Sequence, residues 1–150
     1  MSALGGIYTA LKTLIATDAT IAALLANAPF SGAGGSPNTK AVYDDGAAPQ
    51  NGSFPYITIG AGTSTQASSL GARGWNCTIQ VKPIAQSTAT GQALVTALSA
   101  LLMPVPPRTL TVSGLTSCWV DDFNEQPPLI ETIAGVPTRS VPIIVRVYAT

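Results

Sequence analysis

The chain carries few side chains of the kinds that catalyse reactions or bind metals. Its 150 residues include no histidine, the commonest general base and metal ligand. Neither a Ser/His/Asp triad nor a Cys/His pair can therefore form. Cys77 and Cys118 are too few for a disulfide framework and lack the spacing of zinc ligands. We therefore expect no catalytic residues, no metal and no cofactor, and we predict that the protein is not an enzyme.

Two groups of carboxylates come closest to a functional site. Asp44 stands beside Asp45, and Asp121 and Asp122 precede Glu125. Such oxygen ligands suit a hard cation such as calcium. Each group follows a predicted strand, where aspartate is common because it forms local hydrogen bonds in turns. We favour turns at both places, and a small-ligand or metal-binding module is the alternative from another functional class.

Aromatic side chains offer a second kind of candidate site. Trp75, Trp119 and Tyr56 could line a ligand pocket. All three lie in or beside predicted strands, and aromatic residues of strands mostly pack into the core. We favour the core for all three.

The charge of the chain argues against nucleic acid as a tight ligand. Its formal net charge is zero, and its seven Lys and Arg residues are scattered. Only 9% of the residues are charged, against about 25% in typical domains. Such a surface is expected where much of it faces other protein, although a compositional habit of the source genome explains it equally well.

The sequence shows neither a secretory signal nor a membrane span. Its N-terminus lacks a basic region followed by an apolar run and a cleavage site, and no apolar stretch reaches about 18 residues. We expect the protein to be made and used in a reducing cytoplasm, or in a particle assembled there.

The central element is a strand followed directly by a helix, in residues 73–103. Apolar Trp75, Cys77, Ile79 and Val81 alternate with polar residues, which is typical of a half-buried strand that we expect Pro83 to end. Hydroxyl residues at 87–90 then offer helix caps. Beyond them an apolar stripe with helical spacing consists of Leu94, Leu98, Leu101 and Leu102. The strand face and the helix stripe are expected to cover each other.

Similar stripes predict a helix over residues 3–16 and, with Asp18 as N-cap, a second short helix that carries Ile21, Leu24 and Leu25. A single bent helix is the alternative. Glycine, serine and proline predict a loop over residues 28–38. We predict strands at 41–43, 54–60, 109–112 and 115–120, a turn at 124–128, and a hairpin around Gly135 that begins with an extended segment at 129–133.

Residues 60–74 are polar and rich in glycine, and we predict a loop longer than a hairpin needs. It is either an arm that reaches a partner or a solvent loop.

The last strand, residues 139–149, has one apolar face and a mixed face with Ile144, Arg146 and Tyr148. A mixed face suits a subunit interface, and partial cover by a helix explains it equally. The order of helices and strands predicts one domain, residues 1–150, of the α+β class, with a mostly antiparallel sheet and two to three helices packed on one face.

Several motifs in this order resemble the tail-completion, or tail-terminator, family of long-tailed bacteriophages and prophages. They are Asp18-Ala19-Thr20-Ile21-Ala22-Ala23-Leu24-Leu25, Val42-Tyr43-Asp44-Asp45, Phe54-Pro55-Tyr56-Ile57-Thr58-Ile59-Gly60, Gly74-Trp75 and Val145-Arg146-Val147-Tyr148, with the long helix before the last. The sequence departs from the family in an insertion at 30–38 and in a loosely matched stretch at 123–137.

The resemblance implies a structural virion protein of the tail and neck region, assembled in the host cytoplasm. It implies a homo-oligomeric ring of six copies that ends growth of the tail tube and docks the head–tail connector protein. DNA would pass through the lumen without specific contact. A connector stopper or a tail tube subunit is the alternative within the same particle. We expect subunit or partner contacts at Arg73, Ile144, Arg146 and Tyr148.

Overall fold

A computed structural model describes residues 3–26, 41–46, 54–69, 72–133 and 135–150. These residues form three helices and seven strands, which confirms the α+β class. The elements are α1 (Ala3–Thr17), α2 (Ala19–Ala26), β1 (Val42–Asp44), β2 (Tyr56–Ser69), β3 (Ala72–Ala85), α3 (Thr88–Leu102), β4 (Cys118–Glu125), β5 (Leu129–Ile133), β6 (Val136–Ser140) and β7 (Ile143–Ala149). The predicted loop at 28–38, with its insertion, lies outside the described residues.

The sheet is built around β3. On one side β3 pairs antiparallel with β2 along its whole length. On the other side it pairs antiparallel first with β7 and then, at Ile84 and Ala85, with β6. Strand β4 lies outside β7, β5 lies outside β6, and the short β1 pairs in parallel with β2. The sheet is therefore mostly antiparallel, as predicted.

The helices and the apolar strand rows bury each other in one cluster. The stripes of α1 and α3 are buried, as the spacing predicted, and so is the row of β3. The largest fully buried side chains that α1, α3 and β3 contribute to this cluster are Ile7, Leu11, Ile15, Ile79, Leu94, Leu98 and Leu102. At about 25 cal/mol per Å² of apolar surface, this shared burial is the main stabilising term of the fold.

Hydrogen bonds at the helix starts confirm both predicted caps. The Ile21 amide donates to Asp18 Oδ1 at 2.9 Å, and the Thr90 amide donates to Ser87 Oγ at 3.2 Å. Helices α1 and α2 are separate and bent by 69°. No single described helix is long and apolar enough to span a membrane. The bent pair of α1 and α2 together has the length and apolar composition of a membrane span, and nothing beyond length and composition indicates one.

Two predictions about strands that contain a proline are wrong. Strand β3 continues through Pro83 to Ala85, and Pro83 lies opposite Ile57. Proline lacks only the N–H, and the Pro83 carbonyl still accepts from the Val141 amide at 3.2 Å. Conversely, the predicted strand over 139–149 is two strands, β6 and β7, because the chain breaks at Val141 and Pro142.

Three further expectations change around β4. The predicted strand at 109–112 is reduced to a bridge between Thr109 and Trp119. The strand predicted at 115–120 begins only at Cys118, and it runs on to Glu125 into the predicted turn at 124–128. The predicted hairpin around Gly135 is confirmed, since Gly135 has φ 76 and β5 pairs with β6 across it.

Candidate assembly surface

The sheet has one face that none of the described helices covers. Side chains alternate along a strand, so the residues opposite the buried rows point to this second face. On neighbouring strands it carries Thr78, Ile144, Arg146, Tyr148 and Trp119, which we call the open face. Arg146 is exposed and the other four are partly exposed.

Aromatic packing fixes one end of the open face. The rings of Trp119 and Tyr148 lie 4.8 Å apart at 48°, on directly opposite positions of β4 and β7. The Tyr148 hydroxyl occupies the place where a Cβ on Gly74 would stand. Glycine at position 74 therefore lets Tyr148 lie flat against the neighbouring strand, and the two aromatic rings form a fixed apolar patch.

An ion pair lies beside this aromatic patch. Arg146 Nε donates to Asp121 Oδ2 at 2.6 Å, and both residues are exposed. A pair this exposed contributes at most about 1 kcal/mol to stability. The predicted turn at Asp121 and Asp122 is wrong, because both lie within β4, at a register shift between Val120 and Asp122. Within the described ranges no group of three or more acidic or cysteine side chains could hold a metal ion.

Residues 60–69 and 72–74 belong to a paired ribbon, so the prediction of a loop over residues 60–74 is wrong for the described part of that segment. Strand β2 runs to Ser69 and β3 starts at Ala72, with a register shift between Gly60 and Thr63. Hydroxyls of Thr63 and Thr78 lie 2.9 Å apart across the ribbon. Its distal part, residues 67–69 paired with 72–74, extends past the last pair between β3 and β7, Trp75 with Ala149. We call residues 62–69 with 72–78 the arm.

The structure does not bring all four predicted contact residues together. Ile144, Arg146 and Tyr148 share the open face of β7. Arg73 lies on the arm opposite Ser68 and one residue before Gly74. Because side chains alternate, Arg73 points to the other face of the ribbon, where it is exposed.

The family model that describes the tail completion protein gp17 matches residues 9–124 of this chain. The match covers more than half of the sequence. The chain belongs to this family. Membership confirms the resemblance seen in the sequence, and it supports a structural protein of a phage-type virion tail.

Solved structures share the fold of this chain. One chain of the virion of a native gene transfer agent particle matches with a TM-score of 0.68 and 21% identity, over 99% of this chain and 98% of its own. A second solved protein matches with a TM-score of 0.52 and 16% identity, over 73% of this chain and 79% of its own. No curated protein sequence matches significantly.

The aromatic residues of the tail completion protein divide between the core and the surface. Tyr56 is buried and stacks on Phe54 at 5.4 Å, and Trp75 packs against the core, as predicted. Trp119 lies on the open face against Tyr148, so its prediction as a core residue is wrong. The sequence signal was available, because Trp119 alternates with the buried Cys118 and Val120.

Both cysteines are free and buried, as predicted for Cys77. Burial raises the pKa of the Cys118 thiol to about 11, and the nearby Cys77 adds to this rise. Burial likewise raises the pKa of the Cys77 thiol. Neither side chain is therefore a ready nucleophile.

A polar cluster that the sequence did not predict fastens α1 to the sheet. Lys12 Nζ donates to Asp44 Oδ1 at 2.7 Å. The Tyr8 hydroxyl lies 2.5 Å from the same oxygen and 2.8 Å from the Ile59 carbonyl. Hydrogen bonds from Lys12 and then Tyr8 hold the pKa of Asp44 below its ordinary value. Asp44 ends β1 and Asp45 begins a turn, as predicted, so this carboxylate has a structural role.

Proposed function

We propose that this protein, as one domain, forms a homo-oligomeric ring of six copies at the head-proximal end of the tail tube. The ring ends tube growth and provides the docking face for the head–tail connector protein. DNA passes through its lumen without specific contact. The protein acts as a structural part of the neck, not as an enzyme, and is assembled in the host cytoplasm.

The match to the tail completion family carries this proposal. The surface is compatible with it in two ways. A chain with only 9% charged residues and no net charge presents little electrostatic repulsion between copies. A ring also needs two different patches on each subunit that fit each other. We assign one patch to Ile144, Arg146 and Tyr148 on the open face, and the other to the arm with Arg73.

Two other ring proteins of the same particle are the alternatives. A tail tube subunit would polymerise into long tubes, whereas a terminator stops after one ring. A connector stopper would remain with the head when tails are missing. The three roles therefore predict different particles when this protein is absent.

The test is deletion of its gene from the genome that produces the particles, followed by negative-stain imaging. We expect filled heads without tails, and separate tube-like tails of irregular length. Wild-type protein supplied in trans should restore joined particles. Normal joined particles after deletion would refute the proposed function. Loss of all tubes would identify a tube subunit, and tubes of uniform length beside unjoined heads would identify a connector stopper.

Substitutions test the assigned patch in the same complementation assay. Ile144→Asp places a charge on the open face and should fail to restore joined particles. Thr9→Asp, on an exposed position of α1, is the matched control and should restore them. Equal rescue by both variants would show that the open face of β7 is not a contact surface.

A further inference from the structure

We propose that the outer edge of the arm in one copy pairs with the outer edge of β4 in the next copy, so that the sheet continues from subunit to subunit. The partner is a second copy of this chain, and the inference rests on the proposed ring.

Both edges are open over part of their length. Within the described ranges β1 pairs with β2 only at residues 57–59, which leaves the outer side of residues 62–69 without a strand. On β4, residues 108–110 cover the first part, because the Leu110 amide donates to the Cys118 carbonyl and the Val120 amide to the Arg108 carbonyl. Residues 121–125 have no described strand outside them. Open edges of this kind invite pairing with another chain.

The two edges have the right relation to each other for a ring. At the arm the strands lie in the order β2, β3, β7, β4, and each neighbouring pair is antiparallel. The outermost strands, β2 and β4, therefore run in opposite directions. A copy rotated about an axis along the strands presents its β2 antiparallel to β4, which preserves the pattern of the sheet. Because the two edges differ, the contact is head-to-tail, which is the type of contact that a closed ring requires.

The free part of β4 lies further along the sheet than the arm does. Asp122 of β4 is paired with Arg146 of β7, which is paired in turn with Thr78 of β3. The arm extends from there in the opposite direction, beyond Trp75. The neighbouring copy must therefore be shifted along the strand direction. Closed sheets require such a stagger between successive strands.

A groove beside β4 has room for the side chains of an added strand. It lies between α3 and the end of β4 and has a volume of about 490 Å³. Its lining is half polar and half apolar, and it consists of Gln92, Thr96, Ser99 and Glu125 with Val95, Ala100, Met103 and Phe123. The arm residues that would face it, Ser64 and Gln66, are exposed and uncharged. When a strand is added to an exposed sheet edge, pockets for its alternate side chains give specificity.

Charge also favours this pairing. The open part of β4 carries Asp121, Asp122 and Glu125, and Arg146 offsets only the first of them. The arm carries Arg73, for which the described residues offer no ion-pair partner. Arg73 stands on β3 opposite Ser68, so the positive charge of the arm lies one strand in from its outer edge. Opposite charges on the arm and on β4 steer the copies together, and the acidic β4 edges of two copies repel each other.

Cysteine cross-linking in purified particles tests the pairing. Thr65→Cys on the arm and Asn124→Cys on β4 are both exposed and lie on the open side of their strands. The native Cys77 and Cys118 are 0% and 4% exposed, so a short bismaleimide should react with the introduced thiols. We expect covalent dimers and a ladder up to the ring size. The control pair, Thr65→Cys with Thr9→Cys on α1, should give no ladder.

Three results would overturn the proposal. They are no ladder from the test pair, an equal ladder from the control pair, and linkage of the Asn124→Cys single variant to a different virion protein. Should the first pair prevent assembly, Gln66→Cys with Glu125→Cys makes the same test on the other side of the strands. Failure of the proposed function is a separate result. It is seen when the gene is deleted and the particles are imaged, and it does not depend on the outcome of the cross-linking.

Discussion

Gly62 should be essential for the arm, while Gly60 should not. Both stand at the register shift where the arm begins. A Cβ at position 62 would overlap the backbone carbonyl of Thr78, which cannot turn away as a side chain can. A Cβ at position 60 would meet its nearest atom, Asp45 Oδ2, at 3.6 Å, an ordinary contact. Alanine at these two positions therefore gives a matched pair.

The size of the effect follows from the overlap. Forcing a methyl group into filled space typically costs about 1–3 kcal/mol. For a chain of this length that corresponds to a fall in Tm of about 2–12 °C for Gly62→Ala. Gly60→Ala should stay within about 1 kcal/mol of wild type, because alanine fits and restricts the unfolded chain. Most of the core lies outside the arm, which contributes Cys77 and, at the margin, Trp75, so both variants should remain folded.

Thermal unfolding followed by circular dichroism measures the change in Tm. Amide hydrogen exchange of residues 62–69 measures how often the backbone pairing of the arm opens. We expect faster exchange in the arm of Gly62→Ala and loss of rescue in the gene-deletion assay. Gly60→Ala should match wild type in both. Equal Tm, exchange and rescue for the two variants would refute the close approach of Gly62 to Thr78.

Three further predictions concern the core, the N-cap of α3 and the hydrogen bonds of Asp44. Leu98→Ala, in the fully buried stripe of α3, should lower the free energy of unfolding by about 2–5 kcal/mol in urea titration, and a smaller loss would mean that this stripe is not fully packed. Ser87→Ala removes the N-cap of α3 and should cost about 1 kcal/mol in the same titration, and an unchanged value would show that Ser87 does not cap the helix. Because Lys12 and Tyr8 lower the pKa of folded Asp44, its contribution is present above the unfolded pKa and is lost as pH falls from about 4. Asp44→Asn should therefore flatten the loss of stability below that pH, and parallel curves for variant and wild type would contradict the bond network.

Elements with one buried face could be predicted from the sequence. The stripes of α1 and α3 and the row Cys77, Ile79 and Val81 repeat with the period of their structures, and burial makes that period visible. Asp18 and Ser87 mark their helix starts because each caps a specific amide. These local signals agree with the fold, so they suffice without tertiary information.

The arm could not be predicted, for a physical reason. Thr63, Ser64, Thr65 and Gln66 are all exposed, so neither face supplies an apolar period. The ribbon is stabilised by backbone pairing with β3, and backbone pairing alone does not produce a pattern of apolar and polar side chains in the sequence. The nearby glycines indicated a loop, whereas Gly62 is there because Thr78 approaches its backbone closely.

The candidate surface was predicted in part. Alternation along the last strand identified Ile144, Arg146 and Tyr148 as one row, and the structure shows them on the open face. Their partners Asp121 and Trp119 were assigned to a turn and to the core, because the pairing of β4 with β7 is a long-range contact. A register shift next to Val120 also breaks the alternation that would have revealed the strand.

The most direct test of the proposed function is gold labelling of intact particles with an antibody against this chain. We predict gold at the junction of head and tail, on one level only. Gold along the whole tail, or at its far end, would contradict a terminal ring at the neck.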